Sequence, residues 1–155
     1  MGKTTQPLPQ LVLTVPTLRL QTMTPETEES WPSNPTILVV EDFEDTRLMM
    51  KVWLEREGYR VVEAAHGEQA IQIALREEPD LIIMDVEMPG MDGLTATRRM
   101  RQHESLRHVP IVTVSAYTAD EYRAAALEAG STEYVATPFE PAALGKLIDK
   151  LLSSK

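Results

Sequence analysis

The sequence predicts an α/β protein in which a doubly wound sheet of five parallel strands carries helices on both faces. Three observations predict it. From Pro35 onward, short β-rich runs alternate with stretches of helical spacing, five of each. The run LIIM, Leu81 to Met84, is apolar without a break, as in a strand buried on both faces. Helix stops at Gly58, Pro79 and Gly130 punctuate the alternation.

Each element follows in order. TILVV (36–40) is the first strand, and residues 44–57 form the first helix, with Leu48, Val52, Met49 and Trp53 expected on one side. YRVVEA (59–64) is the second strand, and EQAIQIALREE (68–78) a helix stopped by Pro79. DLIIMD (80–85) is the third strand, after which Asp92 caps a helix running to about residue 103. VPIVTVSA (109–116) is the fourth strand. TADEYRAAALEAG (118–130) is a helix with an expected capping box, Thr118 with Glu121. TEYVA (132–136) is the fifth strand, and the last helix starts near Pro141 with Leu144, Leu147, Ile148 and Leu151 on its buried stripe.

Length and composition bound the function. The 155 residues suffice for one domain with a core, and 43% hydrophobic with 25% charged residues is a globular balance. No apolar run approaches the ~20 residues of a membrane span. The start MGKTTQ has neither a signal-peptide block nor the Ser/Thr of a myristoylation signal, so a cytoplasmic location is expected. The absence of cysteine excludes disulfides, thiolate metal sites and thiol catalysis. A net charge of −9 argues against nucleic acid as a partner. Arg98, Arg99 and Arg101 scatter around a helix and are expected as solvated surface. Residues 1–34 hold Pro7, Pro9, Pro16, Pro25 and Pro32 with many Thr and Ser, so an extended, disordered tail is expected before a domain at 35–155.

In such a sheet, ligands bind beyond the carboxyl ends of the strands. Strand one ends in Glu41-Asp42, strand three in Asp85, strand four in Ser115 and strand five in Thr137-Pro138. If strands one and three are neighbours, ~4.8 Å apart, their carboxylates converge and repel, and a cation relieves them. Oxygen-only ligands in a small site suit Mg²⁺. Asp85 then becomes a nucleophile for a phosphoryl group, with Ser115 donating to a phosphoryl oxygen. Each residue taken singly has a plainer reading. Glu41 and Asp42 could cap the first helix, Asp85 could be a loop acid, and Ser115 a turn residue.

VVEDFEDTR, MDVEMPGMDG, TVSA and YVATPFEP, in this order and spacing, resemble the receiver domain of two-component response regulators over roughly residues 36–153. The resemblance implies a flavodoxin-like strand order of 2-1-3-4-5 and a phospho-accepting aspartate at Asp85. It implies Mg²⁺ held by Glu41, Asp42, Asp85 and the backbone carbonyl of Glu87, a phosphoryl-facing hydroxyl at Ser115 and a switching aromatic at Tyr134. It also implies Mg²⁺-dependent self-phosphorylation and autodephosphorylation, not steady turnover. The implied partners are a histidine kinase or phosphotransfer protein, and a downstream protein on the face of the fourth helix, fifth strand and fifth helix, with the chain a monomer or weak dimer.

One position departs from the resemblance. Family members carry a lysine where this chain has Thr137, which donates one neutral hydrogen bond and neutralises nothing. Glu in place of Asp at position 41, with Phe43 following, departs less. Two readings follow: a stand-alone phospho-accepting receiver, or a protein-binding module of receiver fold that no longer uses phosphorylation. A phosphatase with a second acid two residues after the nucleophile is disfavoured, because Glu87 stands there and the length leaves no room for a cap domain.

Overall fold

The computed structural model describes residues 33–154. The tail expected over residues 1–34 therefore lies outside the described residues except for its last two positions. The elements are β1 (Thr36–Val40), α1 (Glu44–Arg56), β2 (Arg60–Ala64), α2 (Gly67–Glu77), β3 (Leu81–Asp85) and α3 (Gly93–Arg101). A 3-10 turn (Glu104–Leu106) follows, then β4 (Ile111–Ser115), α4 (Asp120–Ala129), β5 (Glu133–Ala136) and α5 (Pro141–Ser153). All five strands pair in parallel in the order β2-β1-β3-β4-β5. The expected fold and strand order are both observed.

Strand periodicity divides the core into two layers. Leu38, Val40, Ile82 and Met84 point to the face covered by Ala70, Ile71 and Ala74 of α2 and Ala96 and Met100 of α3. Ile37, Val39, Ile83 and Val112 point to the other face, under Leu54 of α1 and Leu144 and Ile148 of α5. Ile37 to Val40 of β1 and Leu81 to Met84 of β3 are thus apolar without a break because each face has its own helical lid.

The first helix corrects the sequence reading. Leu48, Met49 and Val52 are 54%, 69% and 40% exposed, while Leu54 is fully buried with Met50 and Trp53 packed beside it. Apolar residues lie on two sides of α1, so spacing alone does not tell which side meets the sheet. The three-residue and four-residue steps linking Met50, Trp53 and Leu54 define the inner stripe. Two terminal devices also differ. The α4 helix begins at Asp120 with Ala119 as N-cap and no side-chain cap bond, so the Thr118–Glu121 capping box does not form there. The α3 helix does start as expected, with Asp92 Oδ1 accepting the Thr95 amide at 2.7 Å, but it ends at Arg101 and not near 103.

Arg101 is a second correction, since it is not solvated surface. Its Nε donates to the Gly130 carbonyl at 2.9 Å, and its Nη1 to the Leu106 and Val109 carbonyls at 2.7 Å each. One guanidinium therefore ties α3 to the approach to β4 and to the end of α4. Gly130 serves this knot twice: its φ is +113°, and a β-carbon there would stand 2.7 Å from Arg101 Cγ. Arg101→Met, which keeps the alkyl stem and removes the donors, should lower stability by about 1.5–3 kcal/mol. Arg98→Met, at an exposed neighbour on the same helix, should stay within about 0.5 kcal/mol. Chemical denaturation of the two variants side by side checks this.

Candidate functional site

The site assembles because β1 and β3 are neighbours. Their register pairs Val40 with Met84, which brings the next residues, Glu41 and Asp85, abreast at the carboxyl edge. Asp42 joins them, and one carboxylate oxygen from each of Glu41, Asp42 and Asp85 lies within 4.8 Å of the others. Neither acid caps α1, whose N-cap is Phe43 without a side-chain cap bond. Glu41 instead accepts the Phe43 amide at 3.0 Å.

This crowding is visible in the proton affinities. Burial, reinforced by the charges of Glu41, Asp42 and Glu87, pushes the Asp85 carboxyl up to about 7; a bond from the Glu87 amide offsets part of that rise. Burial also raises Glu41, with Asp42 adding to the rise and the Phe43 amide opposing it. Gly93 lets α3 start close beneath this edge. Its amide donates to the Val86 carbonyl at 2.9 Å, and a β-carbon there would collide with the Asp85 carbonyl oxygen. The tight loop MPGMDG is thus shaped by the space available behind Asp85.

Strands β4 and β5 supply the other side. Ser115, 2% exposed, ends β4, and its Oγ accepts the Tyr117 amide at 3.2 Å. Thr137 follows β5 with its amide donating to the Ser115 carbonyl at 2.8 Å, and the Thr137–Pro138 bond is cis. Glu41, Asp42, Asp85, Glu87, Ser115 and Thr137 all line one groove of about 820 Å³. Tyr134 is not in that lining. It is 5% exposed, its hydroxyl donates to the Tyr117 carbonyl at 2.6 Å, and the Arg123 guanidinium lies 5.5 Å from its ring centre.

Sequence reasoning missed Tyr117. Its amide holds Ser115, its carbonyl holds Tyr134, its hydroxyl donates to Glu87 at 3.2 Å and its ring stacks on Tyr122 at 4.5 Å. The available signal was its place two residues beyond the strand-end serine. The apolar walls of the groove, among them Met50, Trp53 and Phe139, were also missed, because they come from helices and loops far apart in the chain.

The match to the response regulator receiver domain spans residues 37–149. The chain belongs to the response regulator receiver family. It is 36% identical over 104 residues to the response regulator PleD of Caulobacter vibrioides, covering 67% of this chain and 23% of PleD, so it spans less than a quarter of that protein. It is 37% identical over 114 residues to an uncharacterised 14.6 kDa protein of Leptolyngbya boryana, covering 74% of this chain and 87% of that one. The receiver domain of the sensor histidine kinase PA1611 of Pseudomonas aeruginosa superposes with a TM-score of 0.73 at 36% identity, covering 77% of this chain and 98% of that one. That structure has a magnesium ion coordinated in its active-site cleft. Phosphorylation on an aspartate is general among receivers, and receivers bind Mg²⁺ at an acidic site. Among the described residues, no helix is long and apolar enough to cross a membrane.

The donor set of this receiver suits a hard divalent cation: three converging carboxylates, no thiolate, and charges that raise one another's proton affinity. The same crowding predicts a pH dependence in metal-free protein. The folded Asp85 pKa, about 7, exceeds the ordinary 3.8, so the folded state holds the extra proton and stability falls as pH rises between these values. Asp85→Asn should therefore stabilise metal-free protein at pH 8, by about 1–2 kcal/mol once solvent screening of a half-exposed group is allowed for. The gain should fade toward pH 4. Thermal melts of both proteins in chelator across this range check the sign; an equal gain at both ends would refute it.

Proposed function

We propose that this chain is a phospho-accepting receiver, with Asp85 the acceptor and a histidine kinase or phosphotransfer protein the donor. The observation that carries the reading is the convergence of Glu41, Asp42 and Asp85 within 4.8 Å at the ends of adjacent strands. The Asp85 carboxylate attacks the donor's phosphorus; the donor's bond to phosphorus breaks as the aspartyl phosphate forms. Glu41, Asp42, Asp85 and the Glu87 carbonyl would hold Mg²⁺, which would offset carboxylate charge and the negative charge of the incoming phosphoryl group. Ser115 donates its hydroxyl proton to one phosphoryl oxygen, and Thr137 donates a neutral hydrogen bond to another.

The read-out passes through Tyr117. When the Ser115 hydroxyl turns to the phosphoryl group, it gives up the Tyr117 amide, whose residue also holds the Tyr134 hydroxyl. Tyr134 lies on β5 beside α4, so the face of α4, β5 and α5, with Tyr122 and Leu127 exposed on α4, is the one we assign to a downstream partner. The reading includes a cytoplasmic location and signalling by protein contact.

Thr137 favours a second reading. A hydrogen bond to a charged group that also carries charge contributes about 1.5–3 kcal/mol, so a neutral donor there weakens phosphoryl binding roughly ten- to hundredfold. A module that binds its partner regardless of phosphorylation would tolerate that loss. Intact-mass measurement after incubation with acetyl phosphate and Mg²⁺ separates the two. A phosphoryl adduct absent from Asp85→Asn, and increased at least tenfold in occupancy-limited samples of Thr137→Lys, is expected for a phospho-acceptor. An adduct in Thr137→Lys alone, with partner binding unmoved by Asp85→Asn, would establish the binding module.

A further inference from the structure

The groove at the strand ends has a composition that phosphoryl acceptance leaves unused. It encloses about 820 Å³, and Met50, Trp53, Val114 and Phe139 line it with hydrocarbon. The acids Glu41, Asp42, Asp85 and Glu87 line the same space. Among the described residues that line it, none is a lysine or arginine. Arg47 comes near the acids but is engaged elsewhere, its Nε on the Glu63 carboxylate at 3.3 Å and its Nη1 on the Glu41 carbonyl at 2.9 Å. The cavity therefore pairs hydrocarbon lining with concentrated negative charge, and the described residues that line it supply no cation.

A ligand complementary to that lining has a compact positive head and a short apolar body. The head gains from several carboxylates in a partly desolvated space, and the body gains by leaving water. A divalent ion alone offsets part of the charge but leaves the hydrocarbon walls unfilled. A guanidinium or bulky quaternary head fits less well beside Thr137, whose short side chain offers a single hydroxyl to accept one N–H. A primary ammonium has three donors, enough for Thr137 and two carboxylate oxygens together.

We propose that this groove is a binding site for a primary alkylammonium ion, its head between Thr137 and the acids and its carbon chain against Trp53, Met50 and Phe139. The occupant is a small-molecule amine of about lysine side-chain length, supplied from solution. Binding stands on the groove itself. Its consequence for Asp85, a cation held beside the incoming phosphoryl group, rests on the phospho-acceptor reading above.

The test uses the full chain and n-butylammonium, which has the same carbon count as a lysine side chain. Titration of metal-free protein at fixed ionic strength is followed by backbone amide and Trp53 indole shifts, beside n-butanol and n-butyrate. Saturable shifts centred on Trp53, Ser115 and Thr137, with affinity at least tenfold above that for butanol and none for butyrate, are expected. Thr137→Lys, which carries its own ammonium into the groove, should weaken the amine at least tenfold. Asp42→Asn, at an exposed position, should weaken it severalfold while leaving butanol unchanged, and serves if the lysine variant folds poorly. Equal affinity for butanol and butylammonium, or an amine indifferent to both substitutions, would overturn the site.

A second readout separates the two readings. With Mg²⁺ and acetyl phosphate, the acyl phosphate P–O bond breaks, the Asp85 oxygen–phosphorus bond forms and acetate leaves. Butylammonium should raise that rate about tenfold in the natural protein and not in Thr137→Lys. If Thr137→Lys is labelled while butylammonium neither binds nor accelerates the natural protein, the receiver reading stands and the amine site falls. If the amine binds as described and no protein is labelled, the amine site stands and phosphoryl acceptance falls.

Discussion

Mutual repulsion among carboxylates at the end of two buried strands is the constraint around which this receiver is arranged. Glu41, Asp42 and Asp85 are held within 4.8 Å of one another, closer than like charges in water favour. The sheet imposes it. Ile37 to Val40 and Leu81 to Met84 are apolar and sealed on both faces, and a slip of β3 that drew its end inward would carry the Asp85 carboxylate into that core. Gly93 then brings the start of α3 against the Asp85 carbonyl, which leaves the loop after β3 little room to swing the acid away. The rigidity of the sheet and the proton affinity of Asp85 are thus two expressions of one arrangement.

That arrangement also explains what was legible in the sequence. Continuous apolar runs specify doubly buried strands, and a parallel sheet places the residues ending those runs along one edge. Glu41, Asp42, Asp85, Ser115 and Thr137 were found by reading run ends, and the fold gathers all five into one groove. The order β2-β1-β3 that makes Glu41 and Asp85 neighbours was not in the periodicity; it came from the resemblance carried by MPGMDG and its companion motifs.

What stayed hidden depends on how side chains pack in three dimensions. The α1 helix carries apolar residues on two sides, and only the sheet decides that Met50, Trp53 and Leu54 turn inward while Leu48, Met49 and Val52 remain in solvent. Arg101 looks like one of three surface arginines, yet carbonyls from residues 106, 109 and 130 converge on it. Tyr117 has no periodic signature, and its importance comes from contacts to Ser115, Glu87 and Tyr134, contributed by three different segments. Linear spacing records what a segment wants locally, and these three roles are set by distant segments.

The charge balance of the groove decides what the site can hold. Moving a phosphoryl group onto Asp85 adds negative charge to a cluster that burial and neighbouring acids already drive toward protonation. A divalent cation removes part of that penalty, and the hydroxyls of Ser115 and Thr137 remove none of the net charge. Neutral donors orient an anion; they do not neutralise it. A stable aspartyl phosphate in this chain therefore requires either a second cation from outside the fold or acceptance of a weaker, shorter-lived adduct. The groove, lined by both hydrocarbon and acids, has room for such a cation where none of the described lining residues is a lysine or arginine.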